Sequence, residues 1–114
     1  MEVTITIGPE FKREFKRLSK KYHSLLDDLE LWKKDIINNP FLGDDLGSGI
    51  RKVRMAIASK GKGKSGGARI LTLNLLLDTE SMEITLLTIY DKGEISNVKD
   101  DFIKYLISNF TSVH

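Results

Sequence analysis

The chain has 114 residues, 40% apolar and 30% charged, which is typical of one globular domain, residues 1–114, and not of a disordered segment. It has no cysteine, which excludes a disulfide framework and a cysteine-based metal site. The N-terminus carries an acid within an alternating pattern, unlike a signal peptide, and no apolar run approaches about 18 residues. We therefore expect a cytoplasmic protein without a membrane span.

The 18 basic residues are distributed unevenly against the 16 acidic ones. Residues 51–69, named here the cationic strip, contain seven Lys or Arg residues and no Asp or Glu, which leaves 11 basic against 16 acidic residues elsewhere. Because such a concentration of like charge repels itself, it indicates an anionic partner. The glycines of the strip let backbone N–H groups approach a phosphate closely.

The first third of the chain is predicted to hold one strand and two helices. Alternating residues predict a short strand over 3–7, which Gly8-Pro9 interrupts. Apolar residues at helical spacing then predict a helix and, from about Ser24, a second one that ends at Asn38-Asn39-Pro40. The two form either a hairpin or one bent helix with a joint at His23-Ser24.

The remaining chain is predicted to form three strands and a terminal helix. The strands cover 50–58, 68–77 and 82–90, and the helix covers about 97–110. Residues 41–49 are predicted to form a loop because they are rich in Gly and Asp. Residues 59–67 are also predicted to form a loop because they are rich in Gly and Lys. The order β-α-α-β-β-β-α indicates an α+β fold, a small antiparallel or mixed sheet with the N-terminal helices packed on it.

The pairing of the last two strands gives one geometric prediction. If Leu77 pairs with Met82 across the turn, Arg69 lies opposite Tyr90. Strand alternation puts Lys52 and Arg54 on the face opposite to the apolar residues of their own strand. These basic residues, Tyr90 and Lys92 are therefore predicted to converge at one end of the sheet.

Residues 58–65 also fit a permissive nucleotide phosphate-loop pattern, with Ala58 in the first glycine position. The chemistry of that motif needs a helix after the loop, with its N-terminus facing the phosphates. Gly66-Gly67 and a strand pattern follow instead, which disfavours a nucleotide site. The alternative for the loop alone is a flexible hairpin with solvated lysines.

Four segments resemble the RelE/HigB group of bacterial toxins from type II toxin–antitoxin pairs. They are FKREFKRL at 11–18, GIRKVR at 49–54, GKSGGAR at 63–69 and LLTIYDKGE at 86–94. The third is the most specific, and the resemblance covers about residues 11–102. It implies a RelE-like (microbial-RNase-like) fold with helices on one side of a small sheet, and an endoribonuclease, or mRNA interferase, that cuts messenger RNA in the ribosomal decoding site.

The resemblance also implies which residues and partners take part. Lys52 and Arg54 match basic residues of the second strand, Arg69 matches the arginine that opens the next strand, and Lys92 lies near the basic position after the last strand. Some relatives place a catalytic Tyr or His just beyond that strand, where this chain has 97–99, Asn-Val-Lys, so Tyr90 is the candidate substitute. The implied partners are mRNA, ribosomal RNA and a cognate antitoxin that blocks the basic face.

Attack by the RNA's own 2′-OH requires a base, stabilisation of the phosphorane and an acid for the leaving 5′-oxygen. Crowding by like charge favours a neutral lysine, so Lys52 is the first candidate for the base and Lys64 the second. Arg54 and Arg69 would clamp phosphate oxygens, and Tyr90 or Lys92 would be the acid. No metal or other cofactor is expected. Further RNA contacts are predicted at a set of strip residues: Arg51, Lys60, Lys62 and Lys64.

Two other functions fit the same residues. The departure at 97–99 favours a module that binds RNA or an antitoxin and has lost catalysis. A DNA-gyrase-targeting toxin of the same superfamily is the other. The basic residues of the first helix are either an ordinary solvated face or a contact to the ribosomal RNA backbone.

Overall fold

The computed structural model describes residues 1–61 and 63–113, with side chains up to residue 108. It is an α+β fold with a five-stranded mixed sheet and three helices. The strands are β1 (Glu2–Ile7), β2 (Asp44–Gly47), β3 (Ile50–Met55), β4 (Ala68–Leu76) and β5 (Ser81–Asp91). The helices are α1 (Pro9–Ser19), α2 (Leu25–Asn38) and α3 (Asp100–Val113), with a short 3-10 turn at Ala58–Lys60.

The sheet has the order β1-β5-β4-β3-β2, in which β1 runs parallel to β5 and the other neighbours are antiparallel. The element order is therefore β-α-α-β-β-β-β-α, and the predicted order lacks β2. Residues 41–49 were expected to form a loop because Asp and Gly are depleted in strands. Here Asp44 and Asp45 pair with β3 at the exposed edge of the sheet, where solvent accepts their charges.

The predicted pairing of Arg69 with Tyr90 is confirmed, but the pairing at the turn is wrong. Met82 pairs with Leu76 and not with Leu77, so the hairpin starts one residue out of the expected register. A bulge at Leu87 on β5, opposite Leu71 and Thr72 of β4, shifts the ladder by one residue and restores the expected pairing at Arg69.

Helices cover both faces of the sheet. On one face α1 and α2 pack on a large core that includes Phe11, Leu25, Trp32 and Val53. On the other face α3 packs Leu106 and neighbouring apolar residues on a smaller core around Leu71. The expectation of helices on one side is therefore wrong, since strand β4 has apolar residues on both faces and each face needs a cover. The two N-terminal helices are separate, with the predicted joint inside the turn at 20–24.

Gly67 closes the loop after β3 by packing directly on that strand. A Cβ here would overlap the carbonyl oxygen of Met55 and press on Ile57 and Ala56, all backbone atoms that cannot move aside cheaply. We expect Gly67→Ala to lower the free energy of unfolding by about 3 kcal/mol. Gly61→Ala is the matched control, because its φ of +73° strains an alanine but no atom lies near the new Cβ. It should cost about 1 kcal/mol, and equal losses in urea unfolding of the two variants would contradict the packing role.

Candidate nucleic-acid interface

Two arginines and a tyrosine form a row across three adjacent strands. Arg54 on β3 pairs with Arg69 on β4, and Arg69 pairs with Tyr90 on β5. Directly paired residues point to the same face of a sheet, with Cβ atoms about 5 Å apart. This face is the one that α3 partly covers. Within the described chain neither arginine forms an ion pair, so the row, named here the arginine row, concentrates positive charge without an internal acid.

The guanidinium group of Arg69 is held in place by backbone carbonyls. Its Nη1 donates to the oxygens of Lys64 and Ala68, both at 3.2 Å, and its Nη2 donates to the oxygen of Ser65 at 3.0 Å. Arg69 is only 6% exposed, and these bonds use three of its five N–H donors. The two remaining donors and the uncompensated charge suit a fixed anion contact at this position.

Tyr90 lies at the end of the arginine row and is 3% exposed. Burial raises the pKa of its hydroxyl, an effect that the nearby Arg69 charge partly opposes. The phenol is therefore protonated at neutral pH. No described residue forms a hydrogen bond with this hydroxyl.

Lys52 lies two residues from Arg54 on the same face of β3, about 7 Å along the strand. It lines a cleft of about 390 Å³ between α3 and the β2–β3 hairpin. Across the cleft are three polar residues that sequence reasoning did not assign to the site, Asn97, Asp100 and Lys104. Only the resemblance to the RelE/HigB group pointed to this region, since some relatives place a catalytic Tyr or His where this chain has residues 97–99. The cleft itself depends on where α3 docks.

Two other predicted site residues have internal partners instead. The Nζ of Lys92 donates to the backbone oxygen of Ser96 at 2.5 Å, so this ammonium group does not join the arginine row. Arg51 lies on the α2 face of the sheet, where its guanidinium binds the backbone oxygens of Phe41, Leu42 and Gly43. Its contacts fix the segment before β2, and an RNA-binding role would require it to leave them.

The side chains of Lys60 and Lys64, two lysines of the glycine-rich loop, lie away from the arginine row. Lys60 donates to Oδ1 of the buried Asp91 at 2.5 Å, on the face that carries α1 and α2. Lys64 is exposed and lines a shallow groove beside Trp32 of α2. The predicted contact at Lys62 lies outside the described residues. A strand and no helix follows this loop, which rules out the nucleotide phosphate-loop arrangement.

Asp91 anchors that loop to the body of the protein. Burial raises the pKa of its carboxyl, but hydrogen bonds from Lys60, Tyr22 and the amide of Gly93 outweigh burial and lower it to about 2. The unfolded value is near 4, so the stabilising contribution is present above about pH 4 and is lost as the pH falls towards 2.

We expect Asp91→Asn to lower the free energy of unfolding at pH 7 by about 2 kcal/mol. The difference from wild type should shrink between pH 4 and pH 2, as followed by urea unfolding. Glu94→Gln is a control, because Glu94 pairs with Arg17 near the surface and its loss should cost below about 1 kcal/mol. A difference for Asp91→Asn that is unchanged at low pH would contradict the role of the carboxylate.

The basic face of α1 is only partly neutralised. Arg13 and Arg17 pair with Glu10 and Glu14 of the same helix, and Arg17 also binds Glu94. Three exposed lysines at four-residue spacing, Lys12, Lys16 and Lys20, form no ion pair in the described chain. This row lies apart from the arginine row and remains either a solvated face or a backbone contact.

No protein-family model matches this chain. None of the described helices has the length and apolar character needed to cross a lipid bilayer. Among the described residues, no three acidic or histidine side chains come close enough together to hold a metal ion.

Proposed function

We propose that the protein is an endoribonuclease that cuts messenger RNA on the ribosome without a metal, as the toxin of a type II toxin–antitoxin pair. The observation that carries this proposal is the direct pairing of Arg54 with Arg69 beside Tyr90. Like charges directly opposite in a sheet are destabilising unless an anion lies between them. An RNA phosphate would compensate the pair, and it would do so most strongly when the phosphorane carries its extra charge.

Each step of the proposed cleavage reaction is assigned to a residue in or beside the arginine row. Lys52, with no ion-pair partner among the described residues, is the proposed base that removes the 2′-OH proton. The forked donors of Arg54 and Arg69 bind the phosphorane oxygens. Tyr90 is the proposed acid, because it holds its proton at neutral pH and, unlike Lys92, its donor is not engaged.

The same charge supports a protein partner. The positive charge of the arginine row has no acidic partner within the described chain and would need one when the toxin is inactive. An acidic segment of a cognate antitoxin would neutralise this charge by covering Arg54 and Lys52. A protein that acts on the ribosome and binds an antitoxin would work in the cytoplasm.

Binding without cleavage is a second candidate function. Tyr90 is nearly inaccessible, and Asn97 occupies the region where some relatives of the RelE/HigB group place a catalytic Tyr or His. A protein of this kind would bind RNA or an antitoxin with strong salt dependence and leave translating mRNA intact.

Controlled expression in bacteria tests the proposed function. Induction of the wild type should stop growth and protein synthesis and fragment translated mRNA. Unchanged mRNA and protein synthesis after induction would contradict the proposal. Growth arrest with intact mRNA would favour binding without cleavage, and covalent gyrase–DNA complexes would indicate a gyrase-targeting toxin.

A further inference from the structure

The cleft between α3 and the β2–β3 hairpin has a polar rim and an apolar wall. Five apolar residues supply the wall, and they are Leu46, Ile50, Val98, Ile103 and Ile107. The polar side chains around them are Ser48, Lys52, Asn97, Asp100 and Lys104. Its volume of about 390 Å³ lies in the range of small-molecule sites, roughly 300–1,000 Å³. A ligand with a flat, partly apolar ring and a polar edge would fit this lining.

The polar groups of the cleft have no partners within the described chain. None of these five side chains forms a hydrogen bond or an ion pair with a described residue. Asp100 and Lys104 lie one helical turn apart, the spacing at which opposite charges normally pair, yet they stay separate. Their acceptors and donors are therefore directed to solvent or to a ligand.

We propose that this cleft binds the base of one nucleotide of the RNA strand and that it selects guanine, an inference that rests on the proposed function. Unstacked RNA bases are recognised by apolar contact with the ring and by hydrogen bonds to the Watson–Crick edge. Lys52 lines both this cleft and the face of the arginine row, so a base held here lies beside the proposed catalytic centre.

The choice of guanine follows from the hydrogen-bonding capacity of Asp100 and Lys104. A carboxylate only accepts, and its two oxygens match two adjacent donors, which among the four RNA bases guanine alone offers through N1–H and N2–H. The ammonium group of Lys104 only donates and matches the neighbouring O6 acceptor. Adenine presents one donor beside an acceptor at the same edge, which leaves one carboxylate oxygen without a partner.

Nucleotide titration of the full chain tests the pocket independently of cleavage. In amide NMR spectra, guanosine 3′-monophosphate should shift signals from residues 97–104 and from Lys52, and adenosine 3′-monophosphate should bind at least about tenfold more weakly. Asp100→Asn should remove most of this preference. Asp101→Asn is the matched control, because it removes the same charge from the first turn of α3 without touching the cleft.

Equal binding of the two nucleotides, or no shift at 97–104, would overturn the guanine pocket even if the protein cuts mRNA. Guanine-selective binding that Asp100→Asn abolishes would support the pocket even if no cleavage is found. On mRNA with randomised codons, Asp100→Asn should reduce the excess of guanine next to the cuts by at least about tenfold, and Asp101→Asn should retain it. Cuts whose base preference is the same in Asp100→Asn and wild type would also overturn the proposal.

Discussion

Replacing Arg69 with alanine is expected to lower ribosome-dependent mRNA cleavage by about 10²–10³-fold and to relieve growth arrest. Arg69 is the most rigid cation of the arginine row, since three backbone carbonyls hold its guanidinium group. A fixed donor in a buried position stabilises the developing charge without reorganising in the transition state. Arg69→Lys should recover only part of the activity, because an ammonium group lacks the bidentate fork.

Loss of structure must be separated from loss of chemistry in this experiment. Arg69→Ala also removes the bonds to Lys64 and Ser65, so thermal unfolding and circular dichroism have to accompany the cleavage assay. Lys34→Ala, which removes one positive charge from the exposed face of α2, is the matched control and should cut at the wild-type rate. Wild-type cleavage by a folded Arg69→Ala protein would exclude Arg69 from the mechanism.

Replacing Lys52 with methionine is expected to lower cleavage by about 10²–10⁴-fold, the usual contribution of a general base. The apolar stem of the side chain is kept, and no internal hydrogen bond or ion pair is lost within the described chain, so stability should change by below about 0.5 kcal/mol.

Lys52→Arg separates the two ways in which Lys52 can act. An arginine keeps the positive charge but cannot give up a proton, so a base role predicts that this variant fails as well. The readout is the rate of mRNA cutting on purified ribosomes across pH 6 to 9. Full activity of Lys52→Arg would show that the charge is needed and that another group takes the proton.

The sequence predicted those features of the fold that depend on local pattern. Strand alternation identified the face that carries Lys52 and Arg54, and hairpin pairing identified Tyr90 as the neighbour of Arg69. The pairing of Arg69 with Tyr90 was predicted correctly although the predicted pairing at the turn was wrong, because the bulge at Leu87 on β5 shifts the register back by one residue. A bulge leaves no clear mark in a run of apolar residues.

Other features depend on tertiary contacts, which a residue pattern does not reveal. Lys60 belongs to the same cationic strip as Arg54, yet it turns to the opposite face because Asp91 and Tyr22 form its site there. Strand β2 exists only because β3 offers a free edge to a segment of low strand propensity. Asp100 and Lys104 line the cleft beside Lys52 because α3 docks on the apolar face of β4.

The basic residues of the cationic strip therefore lie in different surroundings. Its described part divides into catalytic candidates on one face of the sheet and residues that hold the loops in place, of which Arg51 and Lys60 are the clearest. This division predicts that substitutions within one continuous basic segment will separate into activity losses and stability losses.

The most direct test of the proposed function is the incubation of purified protein with ribosomes stalled on a defined mRNA, followed by mapping of the RNA ends. The proposed mechanism predicts cuts within the codon in the decoding site that leave 5′-hydroxyl and 2′,3′-cyclic phosphate ends. It also predicts that no cuts appear with a folded protein that carries both Arg54→Ala and Arg69→Ala. Intact mRNA at one wild-type molecule per ribosome, or equal cutting by the double variant, would contradict it.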